Sequence, residues 1–134
     1  MSVSKIATLE ALVAMRPSWK AAGKTVALAN GVFDLLHVGH LRYLQGARAL
    51  ADVLLVAVNS DASTRALKGP GRPVIPASER LELLAGLECT SFVFLFESAD
   101  VRAVLRALRP ELHVKGTDYT PDTIPERDEL AAWG

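Results

Sequence analysis

Four short apolar runs divide this chain. Thr25 to Asn30, Val53 to Asn59, Phe92 to Phe96 and Leu112 to Lys115 read as strands. Their nearly unbroken apolar character suits strands covered on both faces. Between the runs the period changes. Ile6, Leu9, Leu12 and Val13 recur at helical spacing, as do Leu41, Leu44, Ala47 and Leu50. Leu81, Leu84 and Ala85 mark a helix beginning near Pro76, and Val101, Val104, Leu105 and Leu108 mark another, closed by Pro110. Each set predicts an amphipathic helix. Pro17 is expected to end or bend the first one. Ser60 and Asp61 are good N-cap residues for a short helix through Ala66. Lys68 to Pro76 holds two glycines and three prolines and reads as a loop. Gly116 to Pro125 is also loop-like, and Glu126 to Trp133 starts a last helix. No internal repeat, low-complexity segment or linker interrupts the order.

Strands alternating with helices predict an α/β fold, a Rossmann-like parallel sheet of four or five strands flanked by helices. Crossovers should be right-handed. Ligands in such sheets bind beyond the carboxyl ends of the strands, where the strand order reverses. The informative loops therefore follow Asn30, Asn59 and Lys115. The first strand should lie inside the sheet, as in an order 3-2-1-4.

Composition narrows the setting. The 134 residues suit one domain. Lys plus Arg and Asp plus Glu each number 15, so the formal net charge is zero. No global field exists to hold nucleic acid, and any anion site must be local. Cys89 is the only cysteine, so no internal disulfide can form. That fits a reducing cytoplasm. Lys5, Glu10, Arg16 and Lys20 break every early apolar run, which argues against a signal peptide. No stretch has the length and apolarity of a bilayer span. The expected protein is cytoplasmic, with neither a membrane nor a nucleic-acid partner.

The chemistry concentrates after the first strand, in Gly31-Val32-Phe33-Asp34-Leu35-Leu36-His37-Val38-Gly39-His40. The two histidines stand three apart at a helix start and so share one face. A helix N-terminus adds unsatisfied N–H groups and partial positive charge. Gly31 and Gly39 are expected to let phosphate oxygens approach the backbone. Together these features form a phosphate cradle. A zinc half-site is the competing reading, but only His113 and Cys89 remain as soft ligands, and neither has ligand-like spacing. No metal ligand is assigned. His113 alternates with Leu112 and Val114 and reads as a packed strand residue, and Cys89 as a small core residue.

GVFDLLHVGH resembles the signature of the HxGH nucleotidyltransferase superfamily. AVNSDASTRALKGPGRPVIPASER and LRPELHVKGTDY are similar to the adenylyltransferase domain that acts on D-glycero-D-manno-heptose 1-phosphate and makes ADP-heptose for bacterial lipopolysaccharide. The resemblance runs from about Gly23 to Tyr119. It implies catalytic roles for His37, His40 and Lys68 at the phosphates. It implies nucleotide contacts from Gly31, Val32, Phe33, Asp34, Gly39, Arg80, Lys115, Gly116 and Asp118, with Asp34 orienting its loop or approaching the metal. It also places Asn59, Asp61 and Arg72 at the second substrate. Bland roles stand beside these: Lys68 and Arg72 as solvated loop charges, and Asp34 and Asp118 as turn residues.

The reaction implied is attack of a sugar-phosphate oxygen on the α-phosphorus of ATP, with pyrophosphate leaving. The nucleophile is already an anion, so alignment and charge neutralisation matter more than a general base. Mg²⁺ is expected to be held mainly by nucleotide phosphates. The resemblance also implies a homodimer. Relatives usually continue with a further strand, an ST-type motif and a helix, which the domain 1–134 is expected to lack. The rival readings are a cytidylyltransferase for glycerol phosphate or a similar alcohol phosphate, a non-catalytic nucleotide-binding domain, and a class I aminoacyl-tRNA synthetase fragment. The last fits poorly, because no KMSKS-like segment is present.

Overall fold

In the computed structural model, residues 4–97 and 101–114 are described. The elements run α1 (Leu9–Ala21), β1 (Val26–Gly31), α2 (Val38–Ala49), β2 (Val53–Asn59), α3 (Asp61–Lys68), α4 (Ala77–Ala85), β3 (Phe92–Phe96), α5 (Arg102–Leu108) and β4 (Leu112–His113). The four strands form one parallel sheet in the order β3-β2-β1-β4. β1 therefore lies inside it, as expected. The direction of winding reverses between β1 and β4.

Strand alternation sorts the core into two layers. Val26 and Leu28 of β1, Val53, Leu55 and Ala57 of β2, and Phe94 and Phe96 of β3 face one side. There they meet Leu12 of α1 and Val104, Leu105 and Leu108 of α5. Ala27, Ala29, Leu54, Val56, Val58 and Val93 face the other, against Leu44 and Ala47 of α2 and Leu81 and Leu84 of α4. All seven residues of β2 are buried, which its unbroken apolar run required.

α1 and α3 begin at capping side chains. Thr8 Oγ1 accepts from Ala11 N–H at 3.1 Å, and Ser60 Oγ accepts from Ser63 N–H at 3.1 Å. α1 departs from expectation at its start. Ile6 lies outside the helix and pairs in parallel with Val93 of β3. Pro17 sits within the helix, which continues to Ala21. One missing N–H is tolerated there, because Met15 and Trp19 on either side of it pack against the core. At the amino ends of the strands, Arg16 donates to Leu108 O and Arg109 O and pairs with Glu111, which accepts from Val26 N–H. This fastening lies at the end of the sheet opposite the HxGH loop. The predicted strand end at Lys115, the turn with Gly116 and Asp118, and the last helix fall outside the described residues.

Candidate active site

The loop from β1 to α2 carries two non-glycine residues in the left-handed region, Phe33 at φ 54° and Leu35 at φ 57°. Such residues are uncommon and cluster at functional sites. Nothing in the sequence marked them. The turn leads to the N-cap of α2, which is His37 itself.

The two histidines close this helix start reciprocally. Gly39 N–H donates to His37 Nδ1 at 3.0 Å, and His37 N–H donates to His40 Nδ1 at 3.2 Å. This is a capping box built from imidazoles. A ring nitrogen that accepts cannot hold the proton, so each neutral ring carries it on Nε2. The rings stack with centroids 4.0 Å apart and planes at 27°. Phe33 meets His40 edge-on at 5.4 Å. Gly39 also serves the cap. A Cβ there would lie 2.8 Å from the His37 ring, so the missing side chain makes room for the cap. Gly31 likewise leaves space for the Phe33 ring, at 3.2 Å from a would-be Cβ.

Asp34 holds a neighbouring loop. Its carboxylate accepts from Val74 N–H at 2.8 Å, Ile75 N–H at 2.9 Å and Arg72 Nη1 at 2.9 Å. Burial works to raise its pKa, but these hydrogen bonds outweigh it and hold the carboxyl below its ordinary value of 3.8. Both oxygens are engaged by the protein, so in this arrangement Asp34 orients the loop. Arg72 is likewise tied to Asp34. Gly69 at φ 93° and Gly71 at φ 89° shape the loop between Lys68 and Arg72, where a side chain would be strained.

Arg80 lies beneath the loops and is fully buried. Its Nε donates to Ile75 O at 2.9 Å, and Nη1 donates to Val32 O at 2.7 Å and Asn59 O at 2.8 Å. Nη2 pairs with Asp61 Oδ1 at 2.8 Å. The guanidinium therefore faces protein acceptors and not solvent. Asp61 also accepts from Ala77 N–H, and buried Asn59 donates to Ser63 Oγ. Asn59 and Asp61 thus stand in the same network as Arg80. Lys68 ends α3 and is exposed, with no hydrogen bond to either histidine.

Two contributors were missed. Asn30 Oδ1 accepts from His113 Nε2 at 2.6 Å, and the Tyr43 hydroxyl donates to Val114 O at 2.5 Å. Both fasten β4 at the reversal of strand order. A polar Asn closing an apolar strand was the available signal for the first. His113 is half-buried on its strand, where it was expected to pack. Cys89 is a free thiol whose pKa burial raises.

This geometry can be set beside known proteins. The cytidylyltransferase-like family model matches residues 28–133. The chain belongs to that family. Its domain is accordingly of the nucleotidyltransferase kind. The chain is 47% identical over 131 residues to the bifunctional protein HldE of Syntrophotalea carbinolica, and 46% identical over 133 residues to that of Trichlorobacter lovleyi. These alignments cover 98% and 99% of this chain but 27% of each relative. The chain thus spans about a quarter of the length of these relatives. A solved lipopolysaccharide core biosynthesis protein from Thermoplasma volcanium superposes with a TM-score of 0.68 at 27% identity, covering 81% of this chain and 90% of that one. Among the described residues, no helix is long and apolar enough to cross a membrane, and no group of three or more His, Cys, Asp or Glu side chains is placed to hold a metal ion.

Proposed function

We propose that this domain transfers AMP from ATP to a sugar 1-phosphate, D-glycero-D-manno-heptose 1-phosphate, giving an ADP-sugar and pyrophosphate. The observation that carries the reading is the stacked pair His37 and His40 at the start of α2, with each Nδ1 taken by a backbone N–H. Each neutral ring then presents its proton on Nε2, beside the partial positive charge of a helix N-terminus. The choice of substrate rests on the resemblance of the segments Ala57 to Asp61 and Leu67 to Pro73.

In the reaction a phosphate oxygen of the sugar attacks the α-phosphorus of ATP. A new P–O bond forms as the bond to the β-phosphate oxygen breaks, and pyrophosphate leaves. The histidines donate to oxygens whose charge grows during this exchange. They act by position, as pre-set donors, and form no covalent intermediate. Mg²⁺ would be held mainly by the phosphates of ATP.

The test measures pyrophosphate release with ATP and with CTP against heptose 1-phosphate and glycerol 3-phosphate, for the wild type and for His37→Asn. Asn is itself a good N-cap, so it can keep the start of α2 while removing the Nε2 donor. ATP with the sugar 1-phosphate should turn over, and His37→Asn should lower the rate by on the order of 10²-fold with a nearly unchanged melting temperature. Turnover with CTP and glycerol phosphate alone would move the assignment to a cytidylyltransferase. Nucleotide binding without any pyrophosphate release would leave a binding domain.

A further inference from the structure

We infer that Arg80 is a positioning residue that sets the Val32–Phe33 peptide of the HxGH loop, and does not contact the nucleotide. The inference rests on the transferase reading above. The parallel pairing of β1 and β2 ends at Gly31 and Val58. Beyond that point the strands part, and the carbonyls of Val32 and Asn59 lose their sheet partners. Arg80 Nη1 bridges both, at 2.7 and 2.8 Å. The same guanidinium reaches Ile75 O, where the loop from Lys68 enters α4, and Asp61 at the start of α3. One fully buried side chain therefore joins three loops at the carboxyl ends of the strands.

The consequence for the site follows from peptide geometry. The Val32–Phe33 bond is trans, so its C=O and its N–H point in opposite directions. The C=O points at Arg80, so Phe33 N–H points away from it. Phe33 then turns the chain at φ 54° and sets its ring edge-on to His40. Through one peptide, Arg80 fixes both the direction of a backbone donor and the seat of a histidine. A planar fork of five N–H groups can serve four acceptors spread over three loops, whereas an ammonium cannot span them.

The test compares the wild type, Arg80→Lys and Asp61→Asn. Hydrogen exchange is followed by mass spectrometry without nucleotide in peptides covering residues 31–36 and 72–77, with 53–59 as the internal reference. Pyrophosphate release is measured in parallel. In Arg80→Lys both loop peptides should exchange on the order of 10-fold faster, with the reference unmoved. Asp61→Asn should shift them in the same direction by less. The kcat of Arg80→Lys should fall about 10²-fold while KM for ATP changes by less than about 5-fold. Wild-type exchange in both loops of Arg80→Lys, or a rise in KM as steep as the fall in kcat, would overturn the positioning role. If Arg80→Lys fails to fold, Asp61→Asn decides: unaltered loop exchange there refutes the clamp. If the wild type releases no pyrophosphate from any nucleotide, the transferase reading fails, and the exchange data still decide whether Arg80 holds the loop.

Discussion

Arg80–Asp61 and Asp34–Arg72 are two ion pairs of opposite build. In the first the guanidinium is fully buried and the carboxylate side chain is 46% exposed. In the second the carboxylate is 5% exposed and the guanidinium 43%. In each pair the buried member also bonds the backbone of neighbouring loops. The buried cation collects carbonyls from residues 32, 59 and 75, and the buried anion collects N–H groups from residues 74 and 75. The sign of the buried charge thus matches whichever half of the peptide the loops turn inward. The exposed partner adds only what an ion pair half in water can give. What organises the site is backbone satisfaction, and the salt bridges are secondary.

The comparison sets a ranking of stabilities. Arg80→Met leaves three carbonyls without their donor and should cost about 3–5 kcal/mol, read from urea unfolding. Near-neutral stability would mean that the loops find other partners, and the contrast between the pairs would collapse.

Asp34→Ala should come next, at about 2–3 kcal/mol, because two loop N–H groups lose their acceptor. Asp34 also has a signature in acid. Its folded pKa lies below its ordinary value of 3.8, so its contribution is complete above about pH 5 and fades as pH falls through 4 toward the folded value. The stabilities of wild type and Asp34→Asn should therefore converge on acidification. Glu111 and Asp52 are also held low, so both proteins should still weaken in acid. A gap that widens below pH 4 would contradict the assignment.

The exposed members should matter least. Asp61→Ala is expected to cost about 1–2 kcal/mol, since water can reach the vacated side of Arg80. Arg72→Ala should cost less than about 1 kcal/mol. Arg72→Ala costing more than Asp34→Ala would invert the argument.

Much of the architecture was legible in the sequence. β2 and β3 fall where their apolar runs stop, at Asn59 and Phe96, and the order 3-2-1-4 followed from alternating elements and a motif loop that must face the reversal. β1 shifted by one residue, from Thr25–Asn30 to Val26–Gly31. Of the two effects expected of Pro17, an end to the helix did not occur, because packing around it offsets one lost hydrogen bond. Within the site, the histidine pair and its helix start were visible. The left-handed Phe33 and Leu35 were not, since neither residue type announces that conformation. Arg80 had a signal that went unused. Ala77, Arg80, Leu81 and Leu84 share one face of α4, and a lone Arg in an apolar stripe must find acceptors inside.

The stretch from Lys5 to Ala7 bears on assembly. Ala7 N–H donates to Val93 O, and Val93 N–H donates to Lys5 O, each at 2.9 Å. The outward-facing peptide groups of Val93, on the border strand of the sheet, are thereby occupied by the chain's own leading residues. An open border strand invites continuation of the sheet into a neighbouring molecule. At Val93 the border is already matched, so strand addition there meets no vacant peptide groups. A neighbouring strand pairing at Val93 would first have to displace residues 5–7.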